Sequence, residues 1–158
     1  MPGAGKSTIG IILAKNLACG FIDTDVLIQI NQQKSLQQLI DENGHLHLRT
    51  IEEHEILKLN IGNHVIATGG SVAYSEKAMR HLQKISCVVF LDVAFNELKK
   101  RIHNYETRGI AKAHDQTFED LFNERQQLYR KYAEIMIDCN NLDQEELAIR
   151  IAERIVGI

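Results

Sequence analysis

Gly3-Ala4-Gly5-Lys6-Ser7-Thr8 stands near the head of the chain, and an amphipathic run over 9–18 follows it at once. Two glycines ahead of Lys-Ser, running straight into a helix, fit the pattern G-x-x-x-x-G-K-[ST]. Glycines let successive backbone N–H groups turn inward around phosphate oxygens. Lys6 would reach the β- and γ-phosphates, Ser7 would give its hydroxyl to Mg²⁺, and the helix adds the positive end of its dipole. With glycine at about 7% of residues, chance would supply such a run in on the order of one chain in a few hundred. Gly3, Ala4, Gly5, Lys6, Ser7 and Thr8 are therefore expected to bind ATP, with Mg²⁺.

The same motif constrains the fold, because such a loop joins a buried β-strand to a helix. The pattern's first glycine would fall one position before Met1, and the strand that should lead into the loop is missing from the sequence. In folds built on this loop that strand lies mid-sheet. Its loss is expected to leave two neighbouring strands with unpaired backbone groups. The expectation is that the sequence is a shortened form of a longer protein.

Alternating apolar runs and helical patterns fill the remainder. Val65-Ile66-Ala67-Thr68, Cys87-Val88-Val89-Phe90-Leu91, Ile135-Met136-Ile137 and Gly20-Phe21-Ile22 are short and rich in β-branched residues, as buried parallel strands are. Helices are expected over 7–18, 26–33, 35–42, 46–60, 75–84, 94–102, 117–132 and 144–156, with Ser75 and Thr117 as N-caps. This alternation predicts an α/β fold of three layers, a mostly parallel sheet flanked by helices and lacking its first strand. No repeat or linker divides it, so one domain over 1–158 is expected. The stretch 103–116 fits neither period and is read as a lid.

A net charge of −3 over 158 residues lacks the basic excess of a general nucleic-acid or membrane-surface binder. No apolar run nears the ~18 residues of a membrane span. Cys19, Cys87 and Cys139 are scattered and read as reduced, buried thiols. A cytoplasmic monomer is expected, with a small-molecule partner and neither nucleic acid nor membrane.

Asp23-Thr24-Asp25 follows a short strand, at the edge where open α/β sheets bind ligands. On an extended segment alternate residues face opposite sides, so Asp23 would face Mg²⁺ and Asp25 the acceptor. Asp25 before Val26 would also suit a helix N-cap.

Met1-Pro2-Gly3-Ala4-Gly5-Lys6-Ser7-Thr8-Ile9-Gly10, then Leu13-Ala14, then Phe21-Ile22-Asp23-Thr24-Asp25, resembles the start of the shikimate kinases. Further residues arrive in that family's order. Gly44, Arg49 and Glu52 resemble its G-x-x-x-x-R-x-x-E element. Thr68-Gly69-Gly70 resembles its glycine triplet, and Glu124-Arg125 with Leu128-Tyr129 and Ala133 resembles its E-R-x-x-L-Y-x-x-x-A stretch.

The resemblance implies a five-stranded parallel sheet, a substrate-binding helical region over about 26–60 and the lid over 103–116. It implies transfer of the ATP γ-phosphoryl group to the 3-hydroxyl of shikimate, in aromatic amino-acid biosynthesis. Lys6, Asp25 and Arg108 would be catalytic, and Arg101 would stack on adenine while Arg108 touches phosphate. Asp25, Arg49, Gly69, Gly70, Ser71 and Arg125 would hold the substrate, with Ser7 and Asp23 at the metal. Two planar guanidiniums, Arg49 and Arg125, suit a small carboxylate on chemical grounds as well.

Departures bear on the acceptor. Ser71 stands at the family's third glycine, where its hydroxyl would project toward the pocket or hydrogen-bond within it. The usual R-P-L-L lid reads Arg108-Gly109-Ile110-Ala111, Gln127 replaces a proline, and His45 replaces an acid. A kinase for another hydroxy acid of gluconate type, and a non-catalytic nucleotide-binding homologue, stay open beside the first reading.

Overall fold

The computed structural model describes residues 1–102, 110–113 and 115–157. Among them the order is α1 (Lys6–Asn16), β1 (Gly20–Asp23), α2 (Thr24–Gln32), α3 (Leu36–Lys58), β2 (His64–Ala67), a 3₁₀ turn (Val72–Tyr74), α4 (Glu76–Ile85), β3 (Val89–Asp92), α5 (Phe95–Arg101), α6 (Phe118–Tyr132), β4 (Ile135–Asp138) and α7 (Gln144–Val156). Helices flank parallel strands, as the alternation of patterns requires. No helix among the described residues is long and apolar enough to cross a membrane.

Side-chain oxygens start the helices. Ser35, Thr117 and Asp143 each form a capping box with the residue three positions on, and Ser75 accepts from the Ala78 amide. Each such cap is worth about 1 kcal/mol. α1 buries Ile9, Gly10, Leu13 and Ala14, a helical stripe. At Gly10 a Cβ would stand 2.7 Å from the Phe21 ring, so a bare Cα lets α1 lie close to β1.

β1 pairs in parallel with β2 from Gly20↔His64 to Asp23↔Ala67, and β3 with β4 from Val89↔Ile135 to Asp92↔Asp138. Among the described residues the two pairs are not hydrogen-bonded to each other. β2 and β3 instead line the same two cavities. One is closed by Ile9 and Leu13 of α1, the other by Val72, Met79 and Tyr129. α1 and α7 cover one side of the strands, with Leu147, Ala148 and Ile151 in the core. The end of α3, α4 and α6 cover the other around Ile56, Ala78, Leu82 and Tyr132.

Two local expectations are corrected. Asp23-Thr24-Asp25 is not a single extended segment. Only Asp23 is extended (φ −106°, ψ 115°); it is the N-cap, and the helix begins at Thr24. The cap is Asp23 rather than Asp25, because its carboxylate accepts from the Asp25 and Val26 amides and the helix starts directly after the strand, two residues earlier than expected. The helices expected over 35–42 and 46–60 are both present within the span of α3, separated at Gly44, whose backbone is not helical (φ 80°, ψ 168°).

Candidate active site

The phosphate loop is built on two left-handed glycines, Gly3 (φ 75°) and Gly5 (φ 87°). L-residues rarely adopt that conformation. Gly5 is also the N-cap of α1, whose first turn holds no acidic residue, so the amide-rich end stays positive. Lys6 Nζ donates to the Met1 carbonyl at 2.9 Å, folding the ammonium back along the loop. Ser7 and Thr8 lie exposed at the helix entrance.

Ser7 Oγ donates to Asp23 Oδ2 at 2.5 Å. The other oxygen, Oδ1, accepts from the backbone of Asp25 at 3.0 Å and Val26 at 3.3 Å. One carboxylate thus caps α2 and fixes the serine hydroxyl. An oxygen-only pair beside a phosphate cradle fits Mg²⁺, which takes one or two protein ligands and completes its shell with phosphate and water.

The loop after β2 brings the acidic side of the site together. The Gly69 amide donates to Thr24 Oγ1 at 3.3 Å, and the Tyr129 hydroxyl donates to the Gly70 carbonyl at 2.8 Å. A Cβ at Gly69 would collide with Glu52 Oε1 and lie 2.7 Å from Asp25 Oδ1. At Gly70 it would lie 2.7 Å from Arg125 Nη1. The two bare Cα atoms are thus what allow two carboxyls and a guanidinium to crowd one turn.

Glu52 is buried, and Ser71 Oγ donates to its Oε2. Burial pushes the Glu52 carboxyl up to about 7, and the Asp25 charge pushes the same way. The Ser71 hydrogen bond and the Arg125 and Arg49 charges pull it down. Of the two orientations expected for Ser71, the hydrogen-bonded one is found.

Arg125 is 1% exposed and donates through Nη2 to the Ala111 carbonyl at 2.7 Å. Arg49 Nη2 reaches the same carbonyl at 3.5 Å. The Nε atoms of Arg49 and Arg125 are both buried and have no hydrogen-bond partner among the described residues. Buried guanidinium N–H groups left unmatched are costly, and an oxyanion would satisfy them.

Lys6, Ser7, Asp25, Gly69, Gly70, Ser71 and Arg125 line one cavity of about 190 Å³, with Gly3, Gly5 and Thr8 at its phosphate end. Arg49 reaches that cavity only through Ala111, which they share. Arg101 ends α5 and lines a different cavity with Gly3, Gly5, Leu142 and Asp143, on the outer side of the loop. Arg108 lies outside the described residues, as does most of the 103–116 segment.

Four contributors were not singled out as site residues in the sequence. Glu52 was seen only as a motif position, and its burial beside Asp25 comes from the kinked α3. Tyr129 was likewise seen only as a motif position, yet its buried hydroxyl, pushed up to about 12 by burial, fixes Gly70. Thr24, within the acidic triplet, holds the Gly69 amide. Ala111 acts through its carbonyl, which no side-chain pattern reveals.

A phosphate cradle on a left-handed loop, opening on carboxyls and guanidiniums at one end of parallel strands, defines an ATP-dependent small-molecule kinase. Comparison narrows the class. The model of the shikimate kinase family matches residues 2–156. A shikimate kinase of Clostridium botulinum (strain ATCC 19397 / Type A) is 35% identical over 162 residues, spanning 100% of this chain and 95% of that protein. One of Sulfurihydrogenibium sp. is 30% identical over 154 residues, spanning 97% and 92%. The structure of the shikimate kinase of Acinetobacter baumannii in complex with shikimate superposes with a TM-score of 0.90, at 27% identity, covering 98% of this chain and 88% of that one. That of Aquifex aeolicus gives 0.85 at 28% identity, covering 99% and 93%. The chain belongs to the shikimate kinase family.

Proposed function

We propose that this chain transfers the γ-phosphoryl group of ATP to the 3-hydroxyl of shikimate. One observation carries the reading: a single cavity runs from the Gly3–Lys6 loop to Asp25 and Arg125. ATP phosphates and an acidic alcohol would meet there end to end.

The loop amides, Lys6 and Thr8 hold the triphosphate, and Arg101, which lines a cavity next to Gly3 and Gly5, stacks on adenine. Arg49 and Arg125 take the carboxylate in a planar fork geometry that lysine lacks. Gly69, Gly70 and Ser71 form the wall behind the ring. Asp25 orients the 3-hydroxyl and accepts its proton as the oxygen attacks the γ-phosphorus. The bond to the β,γ-bridging oxygen breaks, and ADP leaves with that electron pair. Lys6 and Arg108 stabilise charge on the transferred group, the main task in phosphoryl transfer. Ser7 and Asp23 would hold Mg²⁺, which when bound neutralises phosphate charge.

The region 26–60 is the substrate-binding part of one domain over 1–158, and 103–116 its lid. A cytoplasmic monomer suits the reading, with no nucleic acid or membrane partner.

The test is coupled ATP turnover by this chain against shikimate and a panel of hydroxy acids that includes gluconate. Turnover with shikimate is expected. Turnover only with another acid would overturn the acceptor, and nucleotide binding without turnover would overturn the activity.

A further inference from the structure

Tyr74 ends the 3₁₀ turn that follows the Gly69-Gly70-Ser71 loop. Its ring lies between the helices that carry the two guanidiniums. Arg49 Cζ of α3 lies 3.6 Å from the ring centroid, and Arg125 Cζ of α6 lies 5.5 Å from it. Both arginines also converge on the Ala111 carbonyl. Two like charges brought to one oxygen repel each other. An aromatic face carries negative quadrupole density and attracts both.

The two arginines are held unequally. Arg125 is buried and makes a 2.7 Å bond to Ala111, whereas Arg49 is half-buried and its bond to the same oxygen is 3.5 Å long. A hydrogen bond of that length is weak, so the ring is the stronger restraint on Arg49. We infer that Tyr74 is a positioning residue for acid recognition, its ring holding Arg49 against Arg125 so that both present N–H edges to one carboxylate. The inference rests on the acid-binding reading of that pair. Tyr74 acts through the arginines and is not among the residues that line the cavity between the phosphate loop and Asp25. It should therefore govern KM for the acid and leave kcat alone.

Three replacements separate the ring from its bulk and its hydroxyl. Tyr74→Leu keeps an apolar, though smaller, side chain and loses the π face, and KM for shikimate should rise about tenfold. kcat and KM for ATP should stay within about twofold, since neither the cradle nor Asp25 is touched. Tyr74→Phe keeps the face and should bind shikimate as the parent does. Phenylalanines bearing one to three fluorines at position 74 keep the shape while draining the face of charge. Shikimate Kd by calorimetry should weaken stepwise with fluorine number.

A Leu variant with unchanged KM, a Phe variant as poor as Leu, or a flat fluorine series would each overturn the proposal. Should the Leu variant fail to fold, the fluorine series decides. The Arg49 Nε–H NMR signal of the ligand-free protein gives a readout without substrate. It should be displaced by the ring current and move when the ring is removed; an unmoved signal overturns the platform. A parent chain that binds no shikimate would sink the acceptor assignment alone, leaving that signal to decide Tyr74.

Discussion

Ser71 Oγ donates a hydrogen bond to Glu52 Oε2, so the hydroxyl at the third position of the glycine turn faces a buried carboxyl rather than open space. The burial of that carboxyl gives the chain a specific response to pH. Folded, Glu52 holds its proton up to about pH 7, against an ordinary value of 4.5. Between those values the folded state binds more protons than the unfolded one, so stability falls as pH rises through the window. The loss amounts to at most on the order of 3 kcal/mol. Glu52→Gln stays neutral and still accepts from Ser71. Thermal melts from pH 4 to 8 should show the parent losing ground to Glu52→Gln as pH rises; parallel curves would remove Glu52 as the cause. Ser71→Ala removes the bond that lowers the Glu52 value, so the fall should move to higher pH, with a further penalty of about 1–3 kcal/mol.

Asp25 stands at the turn where Gly69 admits two carboxyls. Its backbone amide bonds to Asp23 whatever its side chain is, so Asp25→Asn should preserve α2. Losing a positioned base commonly costs about 10²–10⁴ in rate. kcat should fall by that order, while ATP affinity by calorimetry stays near the parent value. Unchanged turnover would take Asp25 out of the chemistry.

The clamp arginines should respond differently to one conservative change. Arg125 is 1% exposed and tied to Ala111, whereas Arg49 is half-buried. Lysine keeps the charge but loses the fork in both. Arg49→Lys should raise KM for shikimate about tenfold with little change in melting temperature. Arg125→Lys should raise KM as much and also destabilise by about 3 kcal/mol, since it leaves the buried Ala111 carbonyl poorly matched. Steady-state kinetics beside thermal melts separate the two; equal melting temperatures would contradict the difference in burial.

The phosphate loop was legible in the sequence because its function needs named residue types at fixed spacing: Gly3, Gly5, Lys6 and Ser7 carry φ angles and donors nothing else supplies. The helices were legible from caps such as Ser75 and Thr117, each of which leaves a local signature. What stayed hidden depends on burial or on main chain. Glu52 becomes exceptional only when α3 delivers it beneath Ser71, and Ala111 acts through an oxygen every residue has. Tyr74 had no partner in sequence, since Arg49 lies 25 residues before it and Arg125 51 after. Asp23 rather than Asp25 caps α2, because the helix begins directly after the strand with no polar break for the pattern to mark.

Gly44 ties backbone geometry to the clamp and supplies the last prediction. Its φ of 80° and ψ of 168° lie in a region essentially reserved for glycine, and they bend α3 five residues before Arg49. A Cβ there would meet nothing within 4 Å, so any penalty comes from the backbone alone. Gly62 is an internal control: it too has open space around it, with no left-handed φ. Gly44→Ala should cost about 1–3 kcal/mol, whereas Gly62→Ala should be close to neutral or mildly stabilising through the unfolded chain. If the alanine instead straightens α3, the rotation carries Arg49 away from Arg125. KM for shikimate should then rise while KM for ATP holds, because the phosphate loop lies on other elements. Denaturant melts and kinetics on the two variants read these arms separately, and a Gly44→Ala protein matching Gly62→Ala in both would show that the bend does not set the clamp.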